Sequence, residues 1–330
     1  MATTLALYVH DMDPFAFGPI RWYGLSYALG FLIAFMIIKQ IVHAGNSPLK
    51  PALAGDLVFA MVIGILLGGR LGYAVLYKPS LFIEFRAGFP FWDLFAIHEG
   101  GMSSHGGFVG IVVAALCFAR RHKLDMLHVL DLVSFPIPLG LCLGRIANFI
   151  NGELYGRACA ETFALAVKFP QEMFVWSSDK INALLLTLPA QATTTALQSG
   201  PVSWIIRKIQ SGDQQVINAV SPFLTPRHPS QLYQAFLEGL CVFLVLMIAW
   251  IRPQKPGVIF GICCAAYSLA RIAVEFFRQP DEHIAHLEYS FLKITRGQWL
   301  SGLLLLAGVT VWIIGARKNA GTISGWRPQH

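Results

Sequence analysis

Apolar residues run along this chain in long blocks separated by short polar connections. A helix that crosses a bilayer needs about 20 mostly apolar residues. Seven such blocks are predicted as spans, at about 22–42, 55–77, 104–120, 127–150, 229–251, 257–277 and 298–316. The third is short and rich in glycine, and Pro136 and Pro138 should kink the fourth. The pattern predicts an all-α polytopic membrane protein with about seven transmembrane helices.

Basic residues mark one side of these predicted spans. Arg120, Arg121 and Lys123 crowd one short connection, and Arg252 and Lys255 occupy another. Short cytoplasmic loops carry an excess of lysine and arginine. The N-terminus is therefore expected outside and the C-terminus in the cytoplasm.

One long connection, about 155–228, is too polar and too interrupted by proline and glycine to span. We predict that it forms a small external (periplasmic) head region within a single membrane-embedded domain covering 1–330. A loose insertion is expected within it at about 176–222. The aromatic-rich segment 80–97 is also expected outside, either lying in the membrane interface or forming an aromatic belt.

Composition supports the membrane assignment. Of the 330 residues, 55% are hydrophobic and 13% are charged, whereas about 25% of a soluble domain is charged. The lysines and arginines behind the net charge of +7 lie mostly at the span ends, so this charge does not indicate nucleic-acid binding. No cysteine spacing typical of disulfides or zinc is present, and Cys159 has no evident base that would make it a nucleophile.

Several ionisable residues nevertheless lie inside the predicted spans, where a charge costs about 2.5–3.5 kcal/mol at the bilayer centre. Asp131 lies near the cytoplasmic end. Those placed in the outer half, or at its edge, are Arg70, His105, Arg145, Arg271 and Glu275. This distribution predicts a polar chamber that opens towards the outer leaflet.

Helical spacing groups some of these residues into two polar stripes. Tyr267, Arg271 and Glu275 are separated by four residues each, so they share a helix face. Arg145, Asn148 and Asn151 are separated by three residues each and form the second stripe. Two such stripes can face each other across a cavity.

These charges allow two interpretations. Ion pairs such as Arg145 with Glu275, or Arg271 with Glu153, could hold the helices together. However, Arg70, Arg145 and Arg271 outnumber the two glutamates, which favours a missing anion. A phospholipid head group fits, because arginine binds phosphate bidentately.

Two groups of glycines suggest different roles. Gly64, Gly68 and Gly72 have the four-residue spacing that lets helices pack closely. Gly106 and Gly107 follow a histidine, and adjacent glycines allow a ligand to approach the backbone.

The chain resembles the bacterial phosphatidylglycerol–prolipoprotein diacylglyceryl transferase family in a series of motifs. They are RWYGLSY at 21–27, GGRLGY at 68–73, GGMSSHGGFVG at 100–110, GRIANFINGELYGR at 144–157, RHPSQLYQAFLEG at 227–239 and YSLARIAVEFFRQPDEH at 267–283. The resemblance extends over nearly the whole chain. It weakens at about 176–222, where this chain carries extra residues.

The resemblance implies a reaction and its partners. The diacylglyceryl group of phosphatidylglycerol would move to the lipobox cysteine thiol in the signal peptide of a prolipoprotein, giving a thioether and glycerol 1-phosphate. It implies a multi-pass protein of the bacterial cytoplasmic (inner) membrane whose active site faces the outer leaflet among membrane lipids. It implies neither a metal nor an organic cofactor, and no nucleic acid.

The resemblance also implies the site residues, which are Tyr23, His105, Arg145, Asn148, Glu153, Tyr267, Arg271 and Glu275. We expect Arg145 and Arg271 to bind the phosphate and stabilise its growing charge. His105 is expected as general base or proton relay, because imidazole titrates near neutral pH. The remaining residues would hold the head group or orient the arginines, with Arg70, Gly106 and Gly107 as further contacts.

Other functions share some of these features. A lipid or anion transporter with an outward-facing arginine-lined site would need polar residues in both membrane halves, yet Asp131 alone serves the inner half. A structural scaffold would tolerate Arg145→Lys. A different phospholipid-dependent transferase would need a metal cluster or a Ser or Cys nucleophile with its base, and the sequence offers neither.

Overall fold

The computed structural model describes residues 7–44, 47–97, 100–279, 295–323 and 326. The end of the YSLARIAVEFFRQPDEH motif, 280–283, lies outside these residues. The chain is mostly helical, which confirms the all-α fold class. In order, the helices of the described residues are α1 (Trp22–Ala44), α2 (Ala54–Leu76), α3 (Ser104–His122), α4 (Met126–Ser134), α5 (Ile137–Ile150), α6 (Ser178–Leu185), α7 (Ala190–Ser199), α8 (Pro201–Gln210), α9 (Gln214–Val220), α10 (Ser230–Gln234), a π-helix (Ala235–Cys241), α11 (Val242–Ala249), α12 (Val258–Glu275) and α13 (Arg296–Arg317).

Six helical segments of the described chain are long and apolar enough to cross a membrane. They are Trp22–Ala44, Pro51–Leu76, Met126–Ile150, Ser230–Ala249, Val258–Glu275 and Gly297–Arg317. Each matches a block predicted from the sequence. The remaining block, 104–120, forms α3 but is not among the six, so the count of seven spans stays a prediction.

The prolines of the fourth block interrupt its helix, as expected. The first part, α4, ends at Ser134, and α5 begins at Ile137. Proline lacks an N–H donor and crowds the preceding turn, so a continuous α-helix is unfavourable here.

The described chain divides into two compact units. The first comprises Met1–Ala28, Leu141–Cys241 and Tyr267–Leu303. It contains a small sheet in which a strand at Val167–Lys168 lies between Tyr8–Val9, parallel to it, and Pro226–Arg227, antiparallel to it. The other unit comprises Leu29–Gly140, Val242–Ala266 and Leu304–His330.

The segment at 176–222 differs from the loose insertion expected. It forms the four helices α6 to α9, which share a buried apolar core that includes Leu184, Ile205 and Ile209. Ser177 and Asp213 cap two of these helices through their side-chain oxygens. The apolar spacing within α8 supplies a face for this core.

Within the second unit, α2 and α3 pack through glycines. A Cβ at Gly68 would lie 2.3 Å from the carbonyl oxygen of Gly106, and one at Gly64 would lie 2.6 Å from that of Gly110. This confirms the helix-packing role predicted for the α2 glycines.

Asp131, the carboxylate predicted to lie in the inner half of the membrane, has a structural role in the same unit. It accepts hydrogen bonds of 2.7 Å from the backbone N–H groups of Gly257 and Phe260. These donors lie at the start of α12, where helices leave N–H groups unpaired. Asp131 therefore caps α12 from a different helix.

Candidate active site

The end of α5 turns the chain back on itself. Gly152 has a φ of +69°, which favours glycine, and a Cβ there would lie 2.2 Å from the side chain of Gln171. Its N–H donates to the carbonyl of Phe149 at 2.8 Å, and that of Glu153 donates to Asn148 at 3.1 Å. The NGE sequence at 151–153 thus ends α5, and the turn directs the side chain of Glu153 back towards this helix.

Three predicted site residues meet at this turn. The amide of Asn148, which is buried, donates to the hydroxyl of Tyr23 and to Glu153 Oε1, the latter at 3.4 Å. Asn151 donates to the same carboxylate oxygen at 3.3 Å. The structure therefore brings together the first turn of α1 and the end of α5.

The start of α10 fixes the backbone of the turn. Gln231 Nε2 donates to the carbonyl of Glu153 at 2.7 Å, and the Ser230 hydroxyl donates to that of Leu154 at 3.1 Å. Both α10 side chains are fully buried. The serine and glutamine of the RHPSQLYQAFLEG motif therefore hold the backbone of the turn that carries Glu153.

The two predicted phosphate-binding arginines converge on a carboxylate that the sequence analysis did not identify. Glu238 is fully buried, with Arg145 Nη2 3.6 Å from one of its oxygens and Arg271 Nε 3.8 Å from the other. These distances indicate ion pairs without good hydrogen-bond geometry. The guanidiniums therefore keep donors for another acceptor.

A π-helix places Glu238 in this position. A Cβ at the adjacent Gly239 would lie 2.9 Å from the Cα of Cys142, so the π-helix approaches α5 closely. Cys142 lies three residues, about one helical turn, before Arg145. Short π-helical segments within α-helices often occur at functional sites.

Glu275 fixes Arg271 from a second side. Its carboxylate lies 2.5 Å from Arg271 Nη1, and the four-residue spacing that puts both residues on one helix face allows this pair. The hydroxyl of Thr295 donates to Glu275 at 3.0 Å, and Gly297 leaves room for the carboxylate. Tyr267, on the same helix, lies near Glu238 and both arginines.

The cluster changes the charge balance inferred from the sequence. Arg145 and Arg271 pair with Glu238, and Arg271 also pairs with Glu275, while the charge of Arg278 acts on Glu238 as well. The expected pairs of Arg145 with Glu275 and Arg271 with Glu153 are replaced by pairs to Glu238. An anion is therefore favoured by the hydrogen-bond donors that the guanidiniums leave free.

The second unit contains the other predicted site residues. His105 is exposed at the start of α3. Arg70 is buried and donates to four backbone carbonyls, those of Asp93 and Leu94 at 2.6 and 2.8 Å and those of Gly100 and Gly101 at 2.6 and 3.0 Å. Its guanidinium therefore fixes the chain before α3, which differs from the predicted contact with a head group.

Gly106 and Gly107 have different surroundings. A Cβ at Gly106 would lie 2.2 Å from the carbonyl oxygen of Gly68, so the close approach there is to α2 and not to a ligand. At Gly107 the nearest atom, from Ile65, would be 3.8 Å away, an ordinary contact.

Cys159 lacks the surroundings of a reactive thiol. It lies in the first unit, where partial burial raises the pKa of its thiol, although the charge of Arg227 acts in the opposite direction. A raised pKa leaves less thiolate at neutral pH, so Cys159 is a poor nucleophile.

Glu238 could have been found from the sequence. It lies within the predicted span at 229–251 and within a quoted motif, and carboxylates inside spans are rare enough to indicate function. Its pairing with the arginines could not have been found from the sequence, because the partners are distant along the chain. Arg145 lies 93 positions before Glu238, and Arg271 lies 33 positions after it.

Comparison with known proteins gives a consistent result. The prolipoprotein diacylglyceryl transferase family matches residues 14–314. A phosphatidylglycerol–prolipoprotein diacylglyceryl transferase of Bdellovibrio bacteriovorus is 40% identical, with 98% of each chain covered. Proteins of that name from Paraburkholderia phymatum and Burkholderia mallei are 35% and 34% identical, covering 95% and 94% of this chain and 96% of each relative.

Proposed function

The chain belongs to the prolipoprotein diacylglyceryl transferase family, and we propose that it transfers the diacylglyceryl group of phosphatidylglycerol to prolipoproteins in the inner membrane. The buried cluster of Arg145, Glu238 and Arg271 is the observation that carries this proposal. One carboxylate holds the two guanidiniums, and both keep hydrogen-bond donors that can bind the phosphate leaving during the reaction.

The acceptor is the lipobox cysteine in the signal peptide of the prolipoprotein. Its thiolate sulfur attacks the carbon of the diacylglyceryl group that is bonded to the phosphate oxygen, and this carbon–oxygen bond breaks. The products are a thioether and glycerol 1-phosphate, and the thiol proton passes to a base.

Arg145 and Arg271 bind the phosphate and stabilise the charge that grows on it. Glu238 keeps the two guanidiniums at a fixed separation and prevents their mutual repulsion. Glu275 orients Arg271 through the 2.5 Å contact. The hydroxyl groups of the glycerol head group are bound by Tyr23, Asn148, Glu153 and Tyr267. The hydrogen bonds that join Tyr23, Asn148 and Glu153 at the end of α5 support this role.

His105 takes the thiol proton as general base. Its exposure at the start of α3 leaves the imidazole accessible to a substrate. Arg70 is a positioning residue in this scheme, because it holds the segment that leads into α3. Gly106 acts through helix packing, whereas Gly107 keeps the backbone near His105 open.

The topology of the chain completes the proposal. Seven spans, with α3 as the third, place the N-terminus outside and the C-terminus in the cytoplasm. The region at 155–228 is then a periplasmic head within one domain, and the site faces the outer leaflet. The basic connections at 120–123 and 252–255 support this orientation.

The direct test uses the purified full-length protein in liposomes, with phosphatidylglycerol labelled in its acyl chains and a lipobox peptide. We expect label on the peptide cysteine and release of glycerol phosphate, and a peptide with serine in place of that cysteine is the control. An unmodified peptide together with movement of labelled lipid between leaflets would instead support the transporter.

A further inference from the structure

A hairpin of aromatic residues follows α2 in the second unit. Phe85 and Trp92 form an antiparallel bridge. The backbone N–H of Arg86 donates to the carbonyl of Phe91 at 3.0 Å, and the backbone N–H of Asp93 donates to the carbonyl of Glu84 at 3.1 Å. We call residues 78–97 the aromatic hairpin.

Large apolar side chains of the aromatic hairpin are exposed. Phe89 is 85% exposed, Ile83 78% and Phe85 72%, and Phe91 and Phe95 are also exposed. Contiguous exposed apolar surface of this kind marks contact with a partner or a membrane.

The charges of the aromatic hairpin are paired within it. Lys78 lies 2.7 Å from Glu84, and Arg86 lies 2.5 Å from Asp93. The indole N–H of Trp92 donates to a backbone carbonyl at 3.0 Å. The tip, AGFPF at 87–91, contains no charged residue. Internal pairing lowers the cost of entering a medium of low dielectric constant.

The aromatic hairpin is attached to a membrane span. Arg70 of α2 donates to its backbone at Asp93 and Leu94. Leu94 also packs with Leu81 and with Ala74 of α2 in a buried cluster. The last turns of α2 also expose Leu71, Val75 and Leu76, so exposed apolar side chains lie both at the end of the span and on the hairpin packed against it.

We propose that the aromatic hairpin inserts into the interfacial layer of the phospholipid bilayer, with Phe85, Phe89 and Phe91 between the head groups and the upper acyl chains. Lipid is the occupant because the hairpin packs against the end of a span, whose exposed apolar side chains lipid already covers. Aromatic side chains concentrate at this depth, and apolar faces there bury about 5–10 Å into the boundary.

Photolabelling of the full chain tests the proposal without reference to transfer activity. The vesicles contain phosphatidylethanolamine, phosphatidylglycerol and a phospholipid whose diazirine lies near the glycerol backbone. After irradiation, mass spectrometry should find label on peptides containing Phe85, Phe89 and Phe91 at a yield similar to that of α2. Leu186, which is 86% exposed outside the spans, should acquire about tenfold less label.

A matched pair of variants sharpens the test. The F85S/F89S/F91S variant should lose label from the hairpin while α2 keeps its own, which also shows that the chain remains inserted. The control variant L165S/F174S/L186S, at exposed apolar positions of the first unit, should leave hairpin labelling unchanged. An unlabelled wild-type hairpin beside a labelled α2 would overturn the proposal, because water or a protein would then cover it.

Discussion

At the scale of single residues, the site depends on one carboxylate between two arginines. Glu238 is fully buried and is shared by Arg145 and Arg271 at 3.6 and 3.8 Å. Removing one partner from a buried charge cluster leaves the others uncompensated. A substitution at any one of the three therefore changes the environment of the other two.

We expect Arg145→Lys to lower transfer about 100-fold, although the positive charge is kept. An ammonium group lacks the planar fork that binds phosphate bidentately. Steady-state transfer to a lipobox peptide measures the effect, and Arg121→Lys, at an exposed position in the last turn of α3, is the control. Normal transfer by Arg145→Lys would favour the structural network.

Glu238→Gln should lower transfer at least tenfold, because it keeps the shape of the side chain but removes the charge that separates the guanidiniums. Its thermal stability should fall as well, so transfer is compared at a temperature where both proteins remain folded. Glu161→Gln, at an exposed carboxylate 3.9 Å from Lys168, is the control. Full activity in the folded Glu238→Gln protein would remove Glu238 from the site.

His10 should make stability depend on pH. Its ring is buried against Phe149 and Phe169, and burial lowers its pKa below the ordinary value of 6.5, although Asp11 acts in the opposite direction. The unfolded chain then binds the proton more readily than the folded chain. Stability is therefore present above about pH 6.5 and is lost as the pH falls below it.

Thermal unfolding at pH 8 and pH 5.5 measures this effect, with His10→Phe as the variant that cannot titrate. We expect the midpoint of the wild type to fall further on acidification than that of the variant. Equal shifts in the two proteins would mean that other groups cause the pH dependence.

At the scale of elements, α2 and α3 meet where neither helix has a side chain. Gly68 and Gly106 face each other so closely that a Cβ on either would contact the opposite backbone. Such contact cannot be relieved by a change of rotamer, so the helices must separate.

Gly68→Ala should therefore destabilise the protein, by about 1–3 kcal/mol if it behaves as an overpacked core site. Gly107→Ala is the matched control, because its added methyl group would meet only an ordinary contact. Thermal unfolding in detergent compares the two. Equal midpoints would show that the helices separate without cost.

At the scale of the whole molecule, the sequence predicted features that depend on neighbouring positions better than contacts between positions far apart in the chain. Long apolar blocks and the shared helix face of Arg271 and Glu275 follow from neighbouring positions, so the sequence was sufficient to predict them. Asp131 caps α12 from 126 positions away, and no local pattern reveals such a contact. The helices at 176–222 were missed for the same reason, since Leu184 finds its core partners, such as Ile205, in other helices.

The predicted orientation of the chain can be measured in intact cells. Leu186→Cys, at an exposed position of the proposed head, should react with a membrane-impermeant maleimide added outside. Arg121→Cys should react only after the membrane is opened. Labelling of Arg121→Cys in intact cells, with Leu186→Cys protected, would reverse the topology.

The contact between α2 and α3 also affects how the chain enters the membrane during synthesis. By itself α3 is less apolar than the six clear spans, so a translocon would release it into lipid less readily. The glycine face of α2 and the Arg70 bonds before α3 offer it a partner that is already inserted. Biogenesis of this protein should therefore be sequential, with the insertion of one helix depending on the helix made just before it.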